Sequence, residues 1–203
     1  MFRRVAALAA PLLFPLATGA APLDCAKATN APWTVICANP TLKELEKEAS
    51  RLAGLAGAGA HATPASRREL ARSQASVQKT LAACDGAEPC LRRTLIERVH
   101  GLRQGYADAR SRDPEGISRG PHVLACPGFD ALIAVTFVGS DPALVFLAWR
   151  DKGVVLMQTA PKSGAPYAGA FGMGEARLSI QDKQATLGLP EKPPLDCDLQ
   201  EGG

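Results

Sequence analysis

The chain is poor in several things that function leaves behind. Only 5% of its 203 residues are aromatic, three are His, and Lys and Arg never form a dense run. With a net charge of +3, it lacks the basic stripe of a dedicated nucleic-acid binder. No C-x-x-C pair occurs and the His residues are scattered, so the usual zinc spacings are missing. No H-E-x-x-H, nucleophile elbow, phosphate loop or EF-hand is present. The glycine-rich run Gly169–Gly174 does not follow dinucleotide-binding spacing. The residues therefore predict no enzyme, no metal and no cofactor. Beyond the N-terminus no apolar run reaches the about 20 residues of a spanning helix. The length allows one or two small domains and no large catalytic scaffold. Charged residues at 21% and hydrophobic ones at 46% exclude a wholly disordered chain.

What is present starts with an address. Arg3 and Arg4 precede an apolar stretch from Val5 to Ala17, and Thr18-Gly19-Ala20-Ala21 supplies small residues for cleavage. Residues 1–21 read as a secretory signal; Pro11 and Pro15 argue against a buried helix there. Pro22-Leu23-Asp24 before Cys25 does not match a lipid-attachment box. A soluble periplasmic or secreted protein is expected. All six cysteines (Cys25, Cys37, Cys84, Cys90, Cys126 and Cys197) follow the signal. In an oxidising compartment that predicts three disulfides, with 15 connectivities formally open.

The remaining chain changes character midway. Residues 22–112 carry 14 basic and 9 acidic side chains, and residues 113–203 carry 7 and 11. Residues 113–120 are polar with Gly and Pro and read as a linker. The first half (22–112) is predicted helical. Thr41-Leu42-Lys43-Glu44 fits a capping box, followed by Leu42, Leu45, Ala49, Leu52 and Leu55 at helical spacing. A loop is expected over 57–63. Thr63-Pro64 then restarts a helix with Pro at its first position, carrying Leu70, Val77 and Leu81. A third helix begins near Pro89, striped by Leu91, Leu95, Val99, Leu102 and Tyr106. Such stripes predict a small antiparallel bundle stapled by disulfides. His61 falls in the loop and His100 off the stripe.

The second half (121–203) alternates short β-prone runs with turns. The runs are His122–Cys126, Ala131–Val138, Leu144–Trp149, Val154–Thr159, Tyr167–Phe171, Glu175–Ile180 and Ala185–Leu189. Seven or eight short strands read as an antiparallel barrel or sandwich, with Phe146 and Trp149 as packing aromatics. The fold class is thus α+β with two domains. Cys126 at the first strand and Cys197 after the last would tie the ends together. Closing about 70 residues is worth roughly 4 kcal/mol in the chain-entropy account.

Residues 121–198 resemble the MliC/PliC family, inhibitors of c-type lysozyme. The likeness rests on Leu124-Ala125-Cys126, Leu156-Met157-Gln158-Thr159, Ser163-Gly164-Ala165-Pro166-Tyr167, Gly174-Glu175-Ala176-Arg177-Leu178 and Cys197. It implies an eight-stranded antiparallel barrel of the bacterial envelope. Residues 24–105 resemble the LprI-like family, helical domains also associated with lysozyme inhibition. Here the matching residues are Asp24-Cys25, Ile36-Cys37, Leu42, Leu45, Cys84, Cys90-Leu91, Arg98-Val99 and Leu102. Thr94 or Leu95 stands where that family usually has an aromatic. Local spacing favours Cys25–Cys37 and Cys84–Cys90, with helix-hairpin pairings such as Cys25–Cys84 also open.

Lysozyme cleaves with two carboxyl groups, one protonated and one ionised. A rigid loop can offer a hydroxyl to one and a cation to the other. The MliC/PliC resemblance assigns this to a Ser in an S-x-S-G-x-x-Y loop and a Lys in a following W-x-K-G block. Ser163, Gly164 and Tyr167 match the loop. Pro161 replaces its first Ser and Pro166 a common Arg. Phe171-Gly172-Met173-Gly174 stands at the block, with Met173 at the Lys position. Lys162 could supply the cation from the loop, and Arg177, alternating with inward Ala176 and Leu178, is a second candidate. Taken alone, Ser163-Gly164 is an ordinary turn, Lys162 a solvated side chain and Tyr167 strand-start packing. The expected partner is a c-type lysozyme. The alternative is a non-inhibitory envelope scaffold, or a cell-wall binding protein whose basic helical half touches acidic polymers.

Overall fold

The computed structural model describes residues 23–110, 115–161 and 164–202. Residues 1–21, read above as an export signal, and Lys162 and Ser163 lie outside the described residues, as does the start of the linker. A 3₁₀ turn, Cys25–Lys27, precedes α1 (Ala31–Ala38), α2 (Pro40–Ala58), α3 (Pro64–Ala83), α4 (Glu88–Gly105) and the short α5 (Ala107–Arg110). The strands are β1 (Ser118–Ala125), β2 (Ile133–Val138), β3 (Leu144–Trp149), β4 (Lys152–Gln158), β5 (Tyr167–Phe171), β6 (Gly174–Gln181), β7 (Gln184–Gly188) and β8 (Leu195–Gln200). They close an antiparallel eight-stranded barrel in sequence order. Closure removes the exposed edges that such short strands would otherwise present.

The helix starts follow from local chemistry. Thr63 caps α3 by accepting from the Ser66 N–H, and Pro64 occupies the first turn. For α2 the start differs from the Thr41 box. Asn39 is the cap, its side chain accepting from the Leu42 N–H at 3.1 Å, with Pro40 following. The Thr41 hydroxyl instead donates to the Asp141 carbonyl at 2.7 Å, so a tertiary contact takes the group that a local cap would have used. α1, with Pro32 in its first turn, and α5 had no counterpart in the sequence reading.

Strand ends shift by a few residues, and two shifts matter. β1 begins at Ser118, inside the stretch read as linker, because Ser118 pairs with Val138. Cys197 lies within β8 rather than after the last strand. β8 pairs with β1 through Val123–Gln200, Leu124–Leu199 and Ala125–Asp198, closing the barrel. The Cys126–Cys197 disulfide therefore sits beside that seam. The other two disulfides are Cys25–Cys37 and Cys84–Cys90.

Two cores result. Leu124, Val135, Leu147, Leu156, Leu178 and Leu187 fill the barrel. Leu42, Leu45, Leu52, Leu91, Leu95 and Leu102 fill the bundle, and Val138, Leu144 and Phe146 of the barrel belong to that second core. β3 is thus buried on both sides. Val145, Leu147 and Trp149 face inward while Leu144 and Phe146 meet the helices.

Polar groups register the two halves. Glu48 of α2, 3% exposed, accepts from Arg51 at 2.8 and 2.9 Å and from the Ser118 hydroxyl and N–H. Arg103 of α4 donates to the Ser118 hydroxyl at 2.6 Å and to the Ala109 carbonyl at 3.2 Å. It stands 3.6 Å from Glu48. His100, also buried, bonds Thr136 of β2 through Nδ1 at 2.8 Å and its ring tilts against Phe146. His100 off the leucine stripe thus faces the barrel.

Candidate functional site: the rim of the barrel and the β4–β5 loop

Antiparallel order places alternate connections at opposite ends. One end gathers the entry to β1, the β2–β3 loop, the β4–β5 loop, the β6–β7 turn and the chain after β8. The β4–β5 loop, residues 159–166, is pinned at its base. The Thr159 N–H and hydroxyl both donate to the Pro166 carbonyl, at 2.9 and 3.0 Å. Thr159, Ala160, Pro161, Gly164 and Pro166 are exposed. Gly164 has φ +78°, a left-handed backbone that glycine adopts without strain. Just past the loop, Gly169 lets β5 approach β4, since a Cβ there would stand 2.2 Å from the Val155 carbonyl.

Arg177 and Met173 are separated by the same geometry. Arg177 of β6 pairs with Ala168, two residues beyond Pro166. Its neighbours Ala176 and Leu178 are buried inside the barrel, so Arg177 faces out, as the alternation predicts. It pairs with Glu175 at 2.6 Å. Its cross-strand partners Ala168 and Gly188 are small, leaving the guanidinium standing above the sheet. Met173 occupies the β5–β6 turn, fully exposed. That turn is at the far end of β5, roughly 17 Å away for a five-residue strand. One compact site cannot contain both the loop and position 173.

Tyr167 is half-buried and lines the barrel mouth. Burial raises its phenol pKa, partly offset by the charge of Arg119, so the hydroxyl stays protonated at neutral pH. The mouth itself was not singled out by sequence. It is an open cavity of about 850 Å³ whose lining includes Arg119, His122, Phe137, Tyr167, Ile180 and Leu199. Gly164 and Ala165 form one lip. Its only sequence signal was β-type alternation continuing past the buried centre, as in Leu195, Cys197 and Leu199. His61, in its loop, bonds Asp108 through Nδ1 at 2.9 Å and its N–H at 3.0 Å. These bonds hold the Asp108 carboxyl below its usual pKa. Among the described residues no group of three or more His, Cys, Asp or Glu could hold a metal.

Comparison with family models, with curated proteins and with solved structures finds no match for this chain.

Proposed function

We propose that this protein is an exported inhibitor of c-type lysozyme. It would present the β4–β5 loop, carrying Lys162, Ser163 and Gly164, to the enzyme's cleft. The observation that carries this reading is the base-pinned loop at the rim of a closed barrel, with the outward Arg177 one register from its foot. The loop that carries Ser163 in the sequence and the outward Arg177 near its foot would together supply the hydroxyl and the cation of a cleft plug. The order of Cys126, Ser163, Gly164, Tyr167 and Cys197, which resembles the MliC/PliC pattern, supports the same reading. So does the LprI-like pattern of the helical half. Arg177, rather than position 173, is the cation for the ionised carboxylate, because it shares the loop's end of β5. The acidic surplus of the barrel half would speed encounter with a cationic lysozyme.

The test is a turbidity assay of cell-wall lysis by c-type, g-type and i-type lysozymes, with the purified protein added. Inhibition of the c-type enzyme is expected. Ser163→Ala and Arg177→Ala should each weaken it by about tenfold or more, the worth of one charge-assisted hydrogen bond. Met173→Lys should change nothing. Absence of inhibition at micromolar protein, or a gain from Met173→Lys with no loss from Arg177→Ala, overturns the reading in favour of an envelope scaffold.

A further inference from the structure

The barrel mouth is built differently from the rest of the surface. Inward positions that are aliphatic at the barrel's centre give way at this end to Arg119, His122, Phe137 and Tyr167. Arg119 pairs across the ladder with Phe137, and His122 with Val135, so Arg119 and Phe137 share one face. The His122 and Phe137 rings are 5.6 Å apart. Ile180 and Leu199 complete an apolar wall. In a chain with so few aromatics, placing two of them and a His ring around one opening concentrates π-surface where folding does not require it. A smaller recess of about 470 Å³ is also lined by Arg119, Phe137 and Tyr167.

The rim charge has a sign. Arg103, Arg110, Arg119 and Lys183 line the cavity against Asp182 and Glu201. Arg103 is committed to Ser118 and Glu48. Arg110 donates to the Arg103 and Gln104 carbonyls. Among the described residues neither Arg119 nor Lys183 forms an ion pair. An apolar, ring-lined cavity of this volume with convergent cations is the form of a small-molecule site.

We propose that the barrel mouth binds a small aromatic carboxylate. Its ring system would lie against His122, Phe137 and Tyr167, and its carboxylate would pair with Arg119. Tyr167, kept neutral, can donate its hydroxyl to the same anion. Flat ligands suit a shelf of rings, because offset stacking adds to area burial. This site lies inside the barrel's open end and needs neither Ser163 nor Arg177, so it stands or falls apart from lysozyme inhibition.

The probe is 2-naphthoate titrated into the full protein, following the ring NMR signals of His122 and Tyr167. Neutral 2-naphthamide and cationic 2-naphthylmethylammonium serve as comparisons. A dissociation constant on the order of 10–100 µM is expected for the anion, with both ring signals moving and the cation binding at least about tenfold more weakly. Arg119→Gln should weaken 2-naphthoate about tenfold while 2-naphthamide stays within about twofold, which also reports that the variant is folded. If that variant does not fold, Lys183→Gln replaces it, with a several-fold loss expected. The proposal is overturned if 1 mM 2-naphthoate moves neither ring signal, if the cation binds as tightly as the anion, or if the folded variant binds 2-naphthoate unchanged.

Discussion

Glu48→Ala is the substitution that should most weaken the union of bundle and barrel. The carboxylate is buried and accepts two hydrogen bonds from Arg51 and two from Ser118, with Arg103 at 3.6 Å. Removing one partner of a buried charge pair typically costs about 3–5 kcal/mol. Here the lower end applies. The Arg51 side chain is 24% exposed and can rehydrate. Arg103, at 2% exposure, cannot, but it keeps its bonds to Ser118 and Ala109. A loss of about 3 kcal/mol corresponds to a melting point lower by about 6–12 °C for a chain of this size. Glu44→Ala, exposed on the same helix, should stay within about 0.5 kcal/mol. Burial alone would raise the Glu48 pKa, but hydrogen bonds from Arg51 and Ser118 and the charges of Arg51 and Arg103 outweigh it, leaving it below 4.5. Its folded pKa being depressed, its contribution is full above pH 4.5 and fades as pH falls through the folded value. Urea unfolding at pH 7 and at pH 3 measures both effects. A loss under about 1 kcal/mol at pH 7, or one that does not shrink at pH 3, would refute the assignment of Glu48 as an ionised, network-held group.

The disulfides should differ in worth by loop length. Replacing Cys126 and Cys197 by Ser opens a separation of 71 residues, against 6 for Cys84 and Cys90. The chain-entropy account gives about 4 and about 2 kcal/mol respectively, so equal or reversed losses in urea unfolding would count against it. His100 titrates below 6.5 because burial disfavours its charged form, partly offset by a hydrogen bond with Gln104. The unfolded state then binds the proton first, and stability falls as pH drops below about 6.5. His100→Gln should flatten the change in urea midpoint between pH 7.5 and 5.5. A wild-type midpoint no more pH-dependent than the variant's would reject the buried neutral imidazole.

Much of the architecture was legible because single residues settle it. Thr63-Pro64 starts α3 as read, and the Leu91, Leu95, Val99 and Leu102 stripe is buried in α4. Other features were hidden by competition between local and tertiary bonds. Thr41 satisfies a capping rule on paper, yet Asn39 lies two residues earlier and can close the same turn, freeing Thr41 for Asp141. β8 was overlooked although Leu195, Cys197 and Leu199 alternate with Asp196 and Asp198. Five residues separate Leu189 from β8, three of them prolines, and these mask the strand start. Glu48, His100 and Arg103 lie off the leucine stripe, so helical periodicity does not mark them as buried. Only the barrel's presence gives that second helix face something to bury against. The mouth was obscured for a related reason: its strand lining comes from β1, β2, β5, β6 and β8, whose register a linear reading does not supply.

The two-sided burial of β3 explains why the bundle and the proposed binding surfaces do not compete. A strand reading Leu-Val-Phe-Leu-Ala-Trp carries apolar residues at every position, which suits a strand covered on both faces. Its inward set fills the barrel, and Leu144 and Phe146 need a cover that the bundle provides through Ile96, Val99 and their neighbours. Gly153, opposite β3 on β4, leaves room for the Phe146 ring, which would lie 2.7 Å from an added Cβ. By contrast, β6 alternates exposed and buried positions, with Glu175, Arg177 and Ser179 outward. The helical half can therefore seal only the β1–β3 flank, where apolar residues face out. The β5–β7 flank, with Arg177 and the foot of the β4–β5 loop, stays in water because its outer side chains would leave charges unpaired under any such cover. The division of the barrel surface into a sealed flank and a presented flank is thus written in which strands alternate and which do not.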